Sequence, residues 1–322
     1  MTKEIGGYLE LDRYHLPMLH DDAIALNSGR NCLAYLIQKK RIKKIWIPKF
    51  LCASISDVCR REGTEVHYYS IGKDFNPVLK PTDDWVYLVN YYGQINNSKI
   101  REYKTQYSNL IVDNVQAYYQ VPVNGIDTIY TCRKYFGVTD GAFLYTDIEL
   151  DELDCDESFE RTRFLLGRFE RNAFEFYLDF VSNEEEFSNV PVRKMSKLTY
   201  NLLHGIEYEM VKNRRTDNFS YLHENLKDMN KLTLSVINGA YMYPLHIENG
   251  AEIRKKLQAK KIYIPTLWPD VFDICEENEV EFDMAKNILP IPIDQRYGIE
   301  DMDYILAELY RAICNKSIYS FF

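Results

Sequence analysis

Asp113, Gln116 and Lys134 are the residues whose types and spacing suggest chemistry. They lie in the stretch 111–146, IVDNVQAYYQVPVNGIDTIYTCRKYFGVTDGAFLYT. Two short apolar runs, Leu110–Val112 and Thr128–Tyr130, end in polar residues. The first delivers Asp113 and then Gln116; the second delivers Thr131, Arg133 and Lys134. A partly desolvated lysine beside an arginine has a lowered pKa, which makes its amine a nucleophile for a carbonyl. An aspartate at a neighbouring strand end can accept a hydrogen bond from a protonated ring nitrogen. Taken alone, a strand-end lysine is usually just a surface residue.

Upstream, Asn27-Ser28-Gly29 is a turn-and-cap signal, followed by apolar Cys32, Leu33, Leu36 and Ile37 at helical spacing. The unpaired N–H groups and positive dipole end of such a helix start hold phosphate well, although most Ser-Gly starts are only caps. The order phosphate loop, aspartate, lysine is more specific than any of its parts. It meets the three needs of pyridoxal 5′-phosphate: an aldehyde held by an amine, a ring nitrogen kept protonated and an anchored phosphate.

The surrounding pattern predicts the scaffold. Residues 1–22 read as an N-terminal arm with Leu9, Leu11 and Tyr14 as packing residues and His15 and His20 on the surface. Strands are expected at Ile45–Phe50, Val66–Ile71 and Trp85–Tyr91, with helices at Ala23–Lys39 (after its loop), Ser54–Gly63 and Ser98–Tyr107. This alternation with short connections predicts an α/β fold, a mostly parallel sheet covered on both faces with its site at the carboxyl ends of the strands. The run 141–146 adds a further strand. Residues 147–189 carry acidic blocks around RTRFLLGRFER and read as solvated helices. Leu198, Leu202, Ile206 and Met210 lie on one stripe and predict a single long helix from Ser196 to about Asn230. Beyond it, strands at Thr233–Ile237, Ala240–Leu245, Ile262–Ile264 and Ile288–Ile293 and helices at Ile253–Ala259 and Ile299–Cys314 make a smaller α+β unit. The expected division is a large domain at 1–195 and a connecting helix with small domain at 196–322.

Composition narrows the function. The chain has 322 residues, enough for a large core, and a net charge of −9 with both signs mixed along it, which speaks against a nucleic-acid face. Seven scattered cysteines without a C-x-x-C read as free thiols of a reducing, cytoplasmic compartment. Six scattered histidines offer no metal spacing, so no metal is expected. There is no apolar leader or membrane-length run.

Taken segment by segment, the chain resembles the DegT/DnrJ/StrS family of PLP-dependent sugar aminotransferases, within the fold type I superfamily. ALNSGRNCLAYLI resembles the family's phosphate loop, VNYYGQ its strand ending in Tyr-Gly-Gln, VDNVQA its Asp-x-x-Gln segment and TCRKYFGVTDGAFLYT its lysine segment. The resemblance extends through the strand–helix–strand unit at 47–71, the helix after Met195 and the closing segments YPLHIENGAEIRKKLQAKKIYIPTLWP and ILPIPIDQRYGIEDMDYIL. It implies that Lys134 forms a Schiff base with the cofactor and shuttles a proton. Asp113 would pair with the ring nitrogen and Gln116 lie at the ring's O3′ side. Ser28, Gly29 and Arg30 would hold the phosphate, with Thr131 adding a hydroxyl, and Tyr92, Gln94 and Arg193 would line the substrate pocket.

The resemblance further implies a homodimer with shared sites, glutamate as the usual amino donor, and a nucleotide-linked keto-sugar as acceptor for polysaccharide or glycoconjugate synthesis. A PLP enzyme of another reaction type and a non-catalytic relative are the alternatives. The sequence departs from the family at Arg30, which replaces a threonine, and at Cys52, near where an aromatic residue stacks on the ring. The spacer from Asp113 to Lys134 is short. Val192 aligns with a family asparagine that reaches the partner's phosphate, for which Arg193 or Asn189 could substitute.

Overall fold

The structure, a computed structural model, describes residues 5–314; the first four residues of the expected arm lie outside the described residues. Eight strands form the main sheet: β1 (Ile24–Leu26), β2 (Lys44–Pro48), β3 (Glu65–Ile71), β4 (Pro77–Val78), β5 (Thr82–Val89), β6 (Tyr107–Asp113), β7 (Asp127–Thr131) and β8 (Ala142–Tyr145). Their order is β1-β8-β7-β6-β5-β2-β3-β4. The five from β3 to β7 through β2, β5 and β6 are parallel; β8, β1 and β4 pair antiparallel at the two edges. Parallel strands are covered on both faces, so they read as continuous apolar runs. Val86, Leu88 and Val89 of β5 and Leu110, Ile111 and Val112 of β6 are accordingly buried.

The covering helices are α1 (Gly29–Lys40), α2 (Ala53–Arg61) and α3 (Asn97–Gln106). Chain order runs outward to β3 on one side of β2 and to β6 and β7 on the other side of β5. The sheet therefore changes direction between β2 and β5, the position at which open α/β sheets leave a crevice outside the strand carboxyl ends.

The insertion after β8 contributes α4 (Arg163–Glu170) and α5 (Tyr177–Glu186). Solvated helices were expected, but much of what they and the short 3-10 turn between them (Ala173–Phe176) expose is apolar: Phe169, Phe174 and Leu178 are 93, 86 and 80 % exposed.

The predicted long helix is two helices, α6 (Lys197–Leu203) and α7 (Tyr208–Leu226). Ser196 caps α6 and is itself held by the buried Asp140 carboxylate, which fixes the direction of α6. The chain then turns at Gly205, where a Cβ would come within 3.1 Å of the Tyr14 ring, and α7 sets off to bury Phe219, Leu222 and Leu226. The apolar stripe does not continue, and Met210 is half exposed.

The C-terminal part contains β9 (Met242–His246), α8 (Gly250–Ala259), α9 (Val271–Ile274), α10 (Val280–Asn287), β10 (Ile288–Pro292) and α11 (Ile299–Cys314). β9 and β10 form an antiparallel ribbon, and with α7, α8 and α11 they enclose a second core around Tyr243, Leu245, Ile291, Leu306 and Leu309. Trp268, Val271, Met284 and Ala285 join the core of the large sheet instead. Two expected strands are absent. Residues 233–237 form a loop because the Gln94 amide takes the place of a partner strand, bonding both the N–H and the C=O of Ser235. Ile262 and Ile264 are buried in the second core without a strand beside them.

Two expectations for the N-terminal arm also fail. Leu9, Leu11 and Tyr14 are exposed; hydrogen bonds from Tyr14 N to Asn201 Oδ1 and from Leu16 N to the His204 carbonyl hold the arm instead. His20 is buried among Tyr118, Tyr130 and Phe143, with its ring nitrogens 3.1 Å from the Tyr145 hydroxyl and 2.9 Å from the Tyr118 carbonyl. Burial holds its pKa down at about 4.

Arg215 of α7 ties the two cores together. Its buried guanidinium donates to the carbonyls of Ala240, Tyr241 and Tyr135 and to Gln295 Oε1, and it lies over the Tyr135 ring. Replacing it by methionine leaves these buried acceptors unmet, so Arg215→Met is expected to cost about 3 kcal/mol or more. Urea denaturation measures this, and an unchanged midpoint and slope would rule out the clamp.

Candidate active site

The register of the parallel strands assembles the site. Val89 of β5 lies opposite Asp113, the last residue of β6, and Asp113 lies opposite Ile129 of β7. Asp113 thus stands at the crevice end of a central strand, and Lys134 follows β7 by one turn. Asp113 is 3 % exposed; its Oδ1 accepts from Val115 N at 2.9 Å and its Oδ2 from the Tyr87 hydroxyl at 2.8 Å. Burial pushes its pKa above the usual carboxylate value, opposed by the Lys134 charge and by those two donors.

Lys134 has no hydrogen-bond or ion-pair partner among the described residues; its Nζ lies 5.5 Å from the centre of the Tyr241 ring. Burial lowers its pKa, Asp113 opposes the shift, and Arg133 adds a smaller push in the same direction as burial. Arg133 itself turns to the insertion, where it pairs with Glu184 and stacks on Phe187 at 4.6 Å.

The start of α1 lies at the same strand ends, where a Cβ on Gly29 would meet the Val115 and Ile129 side chains at 3.8 Å. Gln116 is 1 % exposed; its Oε1 accepts from Tyr92 N at 2.8 Å, while its Nε2 is buried with no partner. Ser28 is the N-cap of α1 and accepts from Asn31 N at 3.2 Å. The N–H groups of Gly29 and Arg30 have no intrahelical acceptor, as the first turn of a helix dictates. The part-buried Arg30 guanidinium has no hydrogen-bond or ion-pair partner among the described residues, and burial lowers its pKa. Thr131, at the end of β7, makes only a long 3.4 Å bond to the Gly141 carbonyl.

The pocket candidates fare differently. Tyr92 is fully buried, in the left-handed region (φ 52°), with its hydroxyl unpartnered. Gln94 is spent on the Ser235 backbone. Arg193 pairs with Asp156 at 3.4 Å. Asn189 is exposed, Val192 packs against the large core, and the Cys52 sulfur lies 2.9 Å from Ser54 Oγ.

The unmet valences are a nucleophilic amine, a carboxylate with acceptor capacity to spare, an orphaned amide N–H₂ and a helix start with a free guanidinium. These residues fit pyridoxal phosphate, its aldehyde, ring nitrogen, phenolic oxygen and phosphate respectively. For metal binding, one cluster of three suitable ligands occurs among the described residues, Cys275, Glu279 and Glu281. Glu279 there pairs with Lys49, and Glu281 accepts from Ile71 N.

No known family profile matches the sequence, and no curated protein sequence does. Solved structures do match. A DegT/DnrJ/EryC1/StrS aminotransferase from Brucella abortus superposes with a TM-score of 0.62 at 14 % identity, over 90 % of this chain and 85 % of that one. NtdA from Bacillus subtilis, with bound PMP, gives 0.62 at 14 % identity over 90 and 73 %. DesI, in the presence of its TDP-sugar product, gives 0.61 at 14 % identity over 91 and 80 %. The chain has the fold of these aminotransferases.

Within this aminotransferase fold, sequence reasoning missed Tyr87 and Tyr241. The signal for Tyr87 was its place two residues before the residue opposite Asp113, on the same face of the sheet, which becomes readable once the register is known. The electrostatics carry a pH signature. Modification of Lys134 in the cofactor-free protein by an amine reagent, followed by mass spectrometry, is expected to titrate below the ordinary lysine value of 10.5. Asp113→Asn is expected to lower that midpoint further, because the carboxylate is the group holding it up. A midpoint at or above the ordinary value would contradict the described burial.

Proposed function

We propose that the protein is a PLP-dependent aminotransferase of DegT/DnrJ/StrS type. It would carry an amino group from glutamate to a nucleotide-linked keto-sugar, in the cytoplasm, at a site between a large unit at 1–195 and a small one at 196–322. The observation that carries the reading is that Lys134, unpartnered among the described residues, faces Asp113, with the orphaned Gln116 Nε2 three residues beyond Asp113 and the Arg30 guanidinium in the field of Arg133 beside the lysine. A fold alone does not specify chemistry; the site does. The nucleotide-sugar acceptor is supported more narrowly, by the similarity to DesI with its TDP-sugar product.

When bound, the cofactor supplies an aldehyde for amines and a ring that draws off electrons. The protein's own groups do the rest. Arg30, Ser28 and the N–H groups opening α1 would hold the phosphate, and the Thr131 hydroxyl could add a donor. Gln116 Nε2 would be a donor for the phenolic oxygen. Asp113, fixed by two donors, would hold a proton on the ring nitrogen. Lys134, whose amine burial makes easier to deprotonate, would hold the aldehyde carbon and move a proton at Nζ. Tyr241 limits the space beneath that amine.

The purified protein is expected to show a visible absorption band with added cofactor. Lys134→Ala should lose it, and glutamate should convert the bound cofactor to its amine form. A protein that ignores the cofactor would sink the reading.

The dimer belongs to the same proposal. The apolar residues of α4 and α5 and the exposed Tyr8 and Leu9 are what a partner surface offers. The base of the insertion is bonded next to the lysine segment through Arg133–Glu184 and the Asn183 bond to the Thr139 carbonyl. Sedimentation should give a dimer, and Phe169→Glu with Leu178→Glu should shift it to monomer; a wild-type monomer would refute this part.

A further inference from the structure

Tyr87 is fully buried in β5 and donates its hydroxyl to Asp113 Oδ2 at 2.8 Å. With Val115 N on Oδ1, the carboxylate is held by one donor on each oxygen and cannot rotate without breaking both. The phenol is itself fixed, because the Tyr87 backbone carbonyl accepts from the Tyr69 hydroxyl at 2.8 Å and the strand is paired on both sides. We propose that Tyr87 is a positioning residue for the cofactor site, orienting Asp113 and stabilising its negative charge through this hydrogen bond. The proposal rests on the cofactor reading above and adds a residue to it.

The sign of the effect follows from the groups around Asp113. Lys134 faces it from the turn after β7, Tyr87 from β5, Tyr69 from β3 and Tyr91 from the segment after β5. Burial raises all three phenols far above the neutral range, so Tyr87 stays protonated and acts only as a donor. Burial also raises Asp113, while Lys134, the Val115 N–H and the Tyr87 hydroxyl pull it back. Removing the hydroxyl removes one stabiliser of the charged form, so the carboxylate takes up its proton at a higher pH. A neutral Asp113 no longer holds a proton on the ring nitrogen. Affinity for the cofactor should therefore fall on the acid side, and fall earlier without Tyr87.

Cofactor-free protein is titrated with pyridoxal phosphate by equilibrium dialysis from about pH 5 to about pH 9, in wild type, Tyr87→Phe, Asp113→Asn and the double variant. Tyr87→Phe keeps the ring and its packing. Its acid limb is expected to lie roughly one pH unit above that of wild type, about tenfold weaker binding on that limb. In the Asp113→Asn background the same substitution should change affinity by less than about twofold, since the charge it supports is gone. An unmoved acid limb in Tyr87→Phe overturns the proposal while leaving the cofactor reading intact. An equal loss in both backgrounds also overturns it, because the hydroxyl would then matter only for packing. Wild type that captures no pyridoxal phosphate overturns both readings.

Discussion

The site depends on two opposite charges buried at neighbouring strand ends without being bonded to each other. Taking a carboxylate and an ammonium out of water costs several kcal/mol each, and a direct contact would offset part of that. Here Asp113 is bonded to Tyr87 and Val115, and Lys134 only overlooks the Tyr241 ring. Each group feels the other's field, which pulls the acid down and the base up against the burial that drives both toward neutrality. A group inserted between them that offers a ring N–H and a carbonyl carbon would meet both demands at once. The apparent electrostatic frustration is what makes the crevice receptive.

The sheet is what sustains that arrangement. Parallel strands bring successive carboxyl ends to one edge, and the change of direction between β2 and β5 keeps loops from covering it. Helix α1 then points its N-terminus at the same edge, since its apolar face must pack on β7 and β8. On the far side the Arg215 guanidinium fixes the Tyr135 and Tyr241 carbonyls together, so the residue after Lys134 and the ring facing its amine are held by one side chain. Gln295 Nε2 bonds the same Tyr135 carbonyl, so both C-terminal elements brace the lysine turn.

How much of this was legible in the sequence follows from locality. Ser28 as a cap, the strands ending at Asp113 and Thr131, and the terminal helix are written in patterns a few residues long, and they appear as read. The errors lie where distant segments decide. The stripe through Leu198 and Met210 promised one helix, but Asp140 sets the axis of α6 and the second core sets that of α7. The apolar run at 233–237 promised a strand, but the Gln94 side chain took the place of its partner. His20 looked exposed in a polar arm, yet an aromatic pocket built from 118, 130 and 143 receives it. Gln94 and Arg193, named as pocket residues by resemblance, bond the Ser235 backbone and pair with Asp156 respectively.

The fold is shared at 12–15 % identity over most of the chain, so most side chains differ between chains of one fold. Under that constraint the positions facing the crevice can be filled in more than one way. An arginine at position 30 brings a permanent charge to a helix start, where a smaller hydroxyl residue would contribute only a hydrogen bond. No hydrogen bond or ion pair among the described residues consumes that charge. Tyr87 follows the same logic from the other end of the site: a long side chain diagonal to Asp113 across the β5–β6 ladder reaches the carboxylate that a short one would leave bare. A few groups in this region have incomplete bonding among the described residues and lie among buried aromatic side chains, where an unmet polar group is costly.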